Sequence, residues 1–400
     1  MKNFYLPSSE NKQQLKILLP TIALSLFGLL MMYSAGSYRG TQDYGDAFYY
    51  LKKQALAFAV GLIIMLFLRK FKVEKLQKLA IPALIASLAV LAIIFIPGIG
   101  VESYGAKRWI DLGITTVQPS EIAKFGYVIF AAEMLAKYGT RSSKGVLSVL
   151  GSGLAICVLI ILEPNMSITL CVGSVMILFL IYGGISGKRL ALLALPIILV
   201  IPLLIIAEPY RMQRIMAFLD PWQSPKGEGY QLIQSYYALG SGGFFGVGLF
   251  NSRQKYMFLP FAESDFIFSI IGEELGFCGC VAVILIYAYL IYQGYTVALK
   301  AEDRYSSAMA FGITSVITVQ TLFNVAVVTG SVPPTGLPLP FISYGGSSLV
   351  CFMSAVGVLM SIAGHNCHEK TFLLRDIQGV NNGGLHRNKR RKSSERRDSF

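Results

Sequence analysis

The chain has 400 residues, of which 54% are hydrophobic and 14% charged, and its net charge is +13. Soluble domains carry about 25% charged residues, so this composition excludes an ordinary soluble enzyme and places the chain in the membrane class. The basic excess lies in short loops and in a C-terminal tail, which reads as an inside-positive bias rather than as a nucleic-acid surface, and no nucleic-acid partner is expected.

A spanning helix needs about 20 mostly apolar residues. Ten segments qualify: 16–36, 51–68, 79–98, 119–137, 146–162, 166–183, 190–207, 266–294, 306–328 and 344–364. The expected fold is an all-α polytopic membrane protein of about ten helices. The first run starts near Lys16, is long enough to span and lacks a small-residue cleavage pattern, so no cleavable signal peptide is expected. The fourth segment is interrupted by Glu121, Lys124 and Glu133.

Lys/Arg counts orient the bundle. Arg69, Lys70, Lys72, Lys75 and Lys78, then Lys137, Arg141 and Lys144, then Lys188 and Arg189, then Lys300 and Arg304 share one side with both termini. That side reads as cytoplasmic. The bias is not clean, because Lys107, Arg108, Arg211, Arg214, Arg253 and Lys255 fall on the opposite side. The domain plan is a cytoplasmic tail over 1–15, a membrane domain over 16–364 and a basic cytoplasmic tail over 365–400. Within the membrane domain, 208–265 forms a long external loop between the seventh and eighth helices. Its aromatics predict a folded loop carrying short amphipathic helices rather than disorder. In the tail, seven of the fourteen residues from Arg387 are basic. This suits proximity to anionic headgroups, with docking of a cytoplasmic partner as the second reading. No internal repeat is visible, which counts weakly against a secondary transporter.

The six cysteines show no disulfide spacing and read as small buried hydrophobes. HNCH at 365–368 has metal-ligand residue types, but its position past a membrane helix favours a plain tail junction.

Charge at membrane depth usually marks function or a structural pair. Three clusters fall at the outer face. In GAKRWIDLGITTVQPSEIAKFGYVIF, 105–130, Pro119 suits a first helical turn, and Glu121 and Lys124 follow on one face. Either they are an ion pair easing entry into the bilayer, or Arg108 and Lys124 bind an anionic lipid head with Glu121 orienting the lysine. In LPFAESDFIFSIIGEELGF, 259–277, Ser264 is a candidate N-cap and Asp265 then occupies the first turn. Asp265 is a helix-start stabiliser, a proton acceptor for a hydroxyl, or a ligand for a divalent cation. Glu273 and Glu274 lie about 12–14 Å further along the axis at 1.5 Å per residue, too far to share its chemistry. They are assigned to interhelical pairing or a polar cavity. TGSVPPTGLPLPFISYGGSS, 329–348, has four prolines and four glycines. It reads as structured loop lining a cavity, and EPNMS, 163–167, is a tight turn carrying Glu163 near the same cavity.

KRWIDLG with QPSEIAK, EPNMS, GYQLIQSYYALGSGGFFGVGLFNSRQKYMFLP, DFIFSIIGEELGF and PPTGLPLPFISYGGSS occur in the order and spacing of the SEDS family (shape, elongation, division and sporulation). The chain resembles that family from about residue 15 to 365. NSRQK and IIGEELGF favour its division and sporulation branch over the elongation branch. The resemblance implies a bacterial plasma-membrane glycosyltransferase that polymerises lipid II into peptidoglycan at the outer face, at the septum in the division branch. The implied partners are a class B penicillin-binding transpeptidase and other division proteins. The family's essential acid falls on Asp265, its Arg–Trp pair on Arg108 and Trp109, and its Glu/Lys pair on Glu121 and Lys124. Gln118, Ser120, Glu163, Tyr230, Gln231, Gln234 and Lys255 complete the substrate-binding candidates. No organic cofactor is implied, and Mg²⁺ or Mn²⁺ is a candidate ion at Asp265. Where the family usually has His-Thr before the aspartate, this chain has Glu263 and Ser264. The extra carboxylate is expected to raise the pKa of Asp265 or to attract a cation. The rival readings are a lipid II flippase using the same cavity and a non-catalytic division scaffold.

Overall fold

A computed structural model describes residues 9–103, 106–111, 113, 116–193, 195, 202 and 209–365. Helices α1 (Ser9–Tyr44), α2 (Tyr49–Leu68), the short α3 (Val73–Lys78) and α4 (Ala80–Ile93) come first. A three-stranded antiparallel sheet follows, in the order β1 (Gly100–Ser103), β2 (Ala106–Asp111), β3 (Thr116–Val117). Then come α5 (Pro119–Tyr138), α6 (Ser143–Leu162) and α7 (Met166–Tyr182). After the long connection, which holds α8 (Pro209–Leu219) and α9 (Tyr230–Gly242), come α10 (Ile267–Lys300) and α11 (Arg304–Val328). The last helix, α12, spans Gly346–His365.

Among the described residues, six helices are long and apolar enough to cross a membrane: Lys12–Tyr44 within α1, then α2, α6, α10, α11 and α12. The expected spans at 79–98 and 166–183 are the shorter apolar helices α4 and α7. That at 119–137 is α5, whose charges keep it from reading as plain apolar sequence. The expected span at 190–207 lies almost wholly outside the described residues, as do the first eight residues and the tail from 366, including Cys367 and His368 of the HNCH cluster. The small sheet departs from an all-helical expectation. Its strands are two to six residues long and pair locally, Gly100 with Ile110 and Ile110 with Val117. Such short strands separated by Gly113 leave little periodicity for a sequence reading to find.

Local chemistry sets the helix starts. Asn165 accepts from the Ile168 N–H, Asp303 from the Ser306 N–H, and Ser142 from the Lys144 N–H. Pro119 occupies the first turn of α5, where its missing N–H costs nothing. The start of α10 differs from the sequence reading. The helix begins at Ile267 with Phe266 as its uncapped boundary, so Asp265 lies before it. Ser264 turns its hydroxyl back to the Phe261 carbonyl instead of capping.

Helix α10 is broken at Gly276, with φ 67°. The 243–248 loop supplies what the break removes: Val247 and Gly248 N–H donate to the Glu273 and Glu274 carbonyls, while Phe277 and Cys278 N–H donate to Gly243 and Phe244. The backbones approach so closely that a Cβ on Gly276 would lie 2.3 Å from the Gly246 nitrogen. Only glycine fits such a contact.

The two ends of the bundle differ. At one end Ser361 bonds the Phe71 carbonyl, Gln77 bonds Glu133, and Tyr182 bonds Ser307. At the other end the sheet, the α6–α7 turn, the turn before α10 and the 329–345 segment converge. This second end, which the charge count in the sequence expects to face outward, carries the candidate site. The 329–345 segment is irregular, and its carbonyls are met by protein. Gln54 donates to Ser343 O, Gln320 to Pro338 O, Asn324 to Leu337 O and Tyr287 to Pro340 O. Non-helical backbone within a bundle survives only when satisfied in this way.

Candidate active site

Asp265 sits in the turn 261–266, half-buried, with the first helical residue of α10 two positions on. Its backbone carbonyl accepts the Asn324 amide at 2.8 Å, and the same amide nitrogen donates to Leu337 O at 2.7 Å. Ser343 Oγ donates to Ser264 O at 2.6 Å and the Tyr344 N–H to Glu263 O at 2.9 Å. Thus α11 and the 329–345 segment fix the backbone around Asp265. Gly336 faces its carboxylate: a Cβ there would lie 3.1 Å from Asp265 Oδ2 and 3.8 Å from Ser167 Oγ. Gly336 has φ +77°, so glycine is needed for conformation as well as space.

Loss of solvent raises the Asp265 pKa to about 6. The positive charge of Arg214 opposes the rise most, Glu263 adds to it and Arg108 opposes it less. Such a group is an anion at neutral pH yet still basic enough to take a proton, which suits a general base. Glu263 answers the expectation of an added charge. It contributes to the rise, and the cation it attracts is Arg39, whose Nη1 lies 2.7 Å from Glu263 Oε1.

Arg108, on β2, donates from Nε to Glu163 O at 3.2 Å and from Nη2 to Pro164 O at 2.5 Å. This pins the sheet to the α6–α7 turn, from which Ser167 reaches Gly336. Glu163 is 1% exposed, neither carboxylate oxygen has a hydrogen-bond partner, and burial pushes its pKa to about 8 despite Arg108. Burial thus favours its neutral form. Trp109 is half-buried in β2 opposite Val101. Gln118 bounds α5, and its N–H donates to Ser347 Oγ at 3.4 Å.

Ser120, Glu121 and Lys124 lie deeper, on the buried face of α5. Lys124 is 1% exposed. Its Nζ is 2.8 Å from Glu121 Oε2, 2.6 Å from Gln320 Oε1 and 4.5 Å from the centre of the Phe352 ring. Gln320 then reaches Pro338 O, and Asn324 lies one turn further along α11. The Glu121–Lys124 pair thus supports the floor on which Asp265 and Gly336 stand. On α9, Tyr230 and Gln234 are half-buried at i, i+4, and Gln231 donates to Pro260 O at 3.1 Å, tying that helix to the turn before Asp265. Lys255 is placed elsewhere, with its Nζ bound to Phe250 O at 2.6 Å, Ser34 Oγ at 3.2 Å and Glu274 Oε1 at 3.3 Å.

The sequence reading gave no site role to Arg214, Ser167, Asn324, Gly336 or Arg39. Arg214 had a signal: it is one of the external basic residues that blur the inside-positive bias. Its Nη1 donates to Pro334 O at 3.3 Å, which places amphipathic α8 over the proline-rich segment. The carboxylates around Asp265 are its own and that of Glu263, which Arg39 takes up, with Arg214 and Arg108 in electrostatic reach, and among the described residues no group of three His, Cys, Asp or Glu side chains converges. Mg²⁺ is commonly held by one or two carboxylates together with substrate phosphates rather than by a protein cage.

Fold and site together define a multi-pass membrane protein with a half-buried aspartate of raised pKa, in electrostatic reach of two arginines, at the end of its bundle. The family model of the cell cycle proteins FtsW, RodA and SpoVE matches residues 14–368, and the chain belongs to that family. It is similar to the stage V sporulation protein E of Bacillus subtilis, 36% identical over 89% of this chain and 98% of the relative. It is also similar to the probable peptidoglycan glycosyltransferase FtsW of Geobacter metallireducens, 37% identical over 90% and 97%. Among solved structures, a chain from a peptidoglycan synthase complex that coordinates polymerization and crosslinking superposes with a TM-score of 0.72. It is 26% identical and is matched over 88% of this chain and 97% of its own. The rod shape determining protein RodA of Thermus thermophilus shares the fold, with a TM-score of 0.66 at 24% identity and coverage of 88% and 97%.

Proposed function

We propose that this protein is a peptidoglycan glycosyltransferase that joins lipid II disaccharide-pentapeptide units into glycan strands at the outer face of the plasma membrane, with Asp265 as general base. The supporting observation is the Asp265 turn itself: a carboxylate with its pKa held near 6, beside Gly336 and Ser167 and within electrostatic reach of Arg214 and Arg108. In the reaction, an acceptor sugar hydroxyl gives its proton to Asp265 as its oxygen bonds to the donor's anomeric carbon. The bond from that carbon to the lipid pyrophosphate breaks on the opposite side. Configuration inverts, so one base is enough and no covalent enzyme intermediate forms. Arg108 and Arg214 offset the charge that grows on the departing pyrophosphate. The Glu121–Lys124 pair acts from below by holding Gln320 and the 329–345 segment.

Relatives named FtsW and a family of cell cycle proteins support a role in septal wall synthesis. The likeness to a chain from a complex coupling polymerization to crosslinking supports a transpeptidase partner. The test is a gel assay on labelled lipid II with purified protein and a candidate transpeptidase, comparing wild type with Asp265→Asn. A glycan ladder from wild type alone is the expected result. Equal ladders would remove Asp265 from the chemistry. No ladder from either, with lipid II crossing vesicle membranes, would mark a flippase.

A further inference from the structure

Glu263 lies two residues before Asp265 and is 5% exposed. A buried carboxylate is costly unless paired, and its partner comes from 224 positions away in the chain. Arg39, near the outer end of α1, places Nη1 2.7 Å from Glu263 Oε1 and Nε 3.1 Å from Asp43 Oδ2. The same guanidinium lies 5.5 Å from the centre of the Phe261 ring. Phe261 has φ +56°, a left-handed conformation that an aromatic residue adopts only under constraint. Its carbonyl receives the Ser264 N–H at 3.1 Å and the Phe266 N–H at 3.3 Å, so the shape of the whole turn depends on this residue. The start of α10 contributes no side-chain cap to hold the turn. One cation therefore grips the turn at both its strained residue and its buried acid.

We infer that Arg39 is a positioning residue: by clamping Phe261 and Glu263 it holds the Asp265 carboxylate at the distance from Gly336 and the two arginines that the reaction needs. It also balances the charge of Glu263, which would otherwise stand uncompensated beside the base. The inference rests on the reading of Asp265 as the base. It adds that the turn carrying the base, held on one side by α11 and the 329–345 segment, is held on the other from α1, a helix with no other part in the chemistry. A residue that acts in this way changes turnover more than substrate binding, because misplacing a reacting group by about 1 Å can cost on the order of 10²-fold.

The test is a cycle of neutral variants, Arg39→Gln, Glu263→Gln and the double variant, in the full-length protein with its transpeptidase. Lipid II polymerisation is read as kcat and KM, with a thermal midpoint for each variant. We expect each single variant to lose about tenfold in kcat with KM within about twofold. The double variant should lose no more than either single one, because the two residues act as one unit. Arg39→Lys, which keeps the charge, should recover to within about threefold. Single variants with wild-type kcat would overturn the inference, as would losses that multiply in the double variant. So would a lowered thermal midpoint with unchanged kcat in the folded fraction, which would make the clamp purely structural. Asp265→Asn runs alongside. If it retains activity, the reading of the base fails whatever the cycle shows.

Discussion

Asp265 and the pair Glu273/Glu274 stand within one stretch of ten residues, yet the structure treats them differently. Asp265 is half-buried at a loop end, its carboxylate facing a glycine and a serine, and arginines from two other segments act on it through space. Glu273 and Glu274 are buried at the broken part of α10 and engaged with protein. Glu273 accepts the Ser252 hydroxyl and the N–H groups of Arg253 and Gln254. Glu274 Oε1 accepts from Ser34, the Ser252 N–H and Lys255. These two acids tie the 250–255 loop to α1 and α10. The difference teaches that the partners of a carboxylate decide its role. An acid engaged by donors of its own chain is a structural joint, whereas one facing a glycine and a serine, with arginines acting on it through space, is placed to meet a substrate.

The sharpest way to break that comparison is to neutralise each acid in turn. Asp265→Asn should lower polymerisation by about 10²- to 10⁴-fold while leaving the thermal midpoint within a few degrees, measured on the purified protein in detergent. Next in size, Arg108→Ala and Arg214→Ala should each cost about 10²-fold in turnover. Arg214 is the more informative of the two, since its charge acts most strongly on Asp265. Glu274→Ala should show the opposite pattern. Removing one partner of a buried pair leaves Lys255 uncompensated, at about 3–5 kcal/mol, so stability falls while the folded fraction keeps its turnover. Gly336→Ala adds a Cβ 3.1 Å from Asp265 Oδ2 at a positive φ. With left-handed strain of about 1–2 kcal/mol, it should lower turnover about tenfold and stability slightly. The smallest effect at neutral pH is on the rate profile. A base with its pKa raised to about 6 must be deprotonated to act, so kcat/KM should be flat above pH 7 and fall about tenfold per unit well below pH 6. Reversing Arg214 to Glu should move that limb to higher pH, because a like charge favours the protonated form.

Much of the helical frame was legible in the chain. Apolar runs of about 20 residues declare spanning helices because lipid leaves the backbone no other way to satisfy its hydrogen bonds. Pro119 marked a helix start through local chemistry that needs no tertiary partner. The motif residues pointed to Asp265 and Arg108. Other parts were illegible for a physical reason. The bounds of α10 were misread at its start because Ser264 is a good cap by type, and nothing local reveals that its hydroxyl turns back to Phe261. Lys255 read as a substrate-binding candidate, yet it is buried against Glu274 and Ser34, and nothing local reveals that Lys124, beyond its expected neighbour Glu121, meets Gln320 of α11.

Composition, period and local capping are short-range properties, and by themselves they determined that this is a helical membrane protein with an acid at one end of its bundle. Which charges meet is a long-range property. Arg39 with Glu263, Lys124 with Gln320, and Asp265 with Asn324 and Gly336 are brought together by packing between segments distant in sequence. The low dielectric of the interior makes every such pairing strong. Only the tertiary structure could therefore decide which acid faces Gly336 and the two arginines and which are joined to the donors of the 250–255 loop.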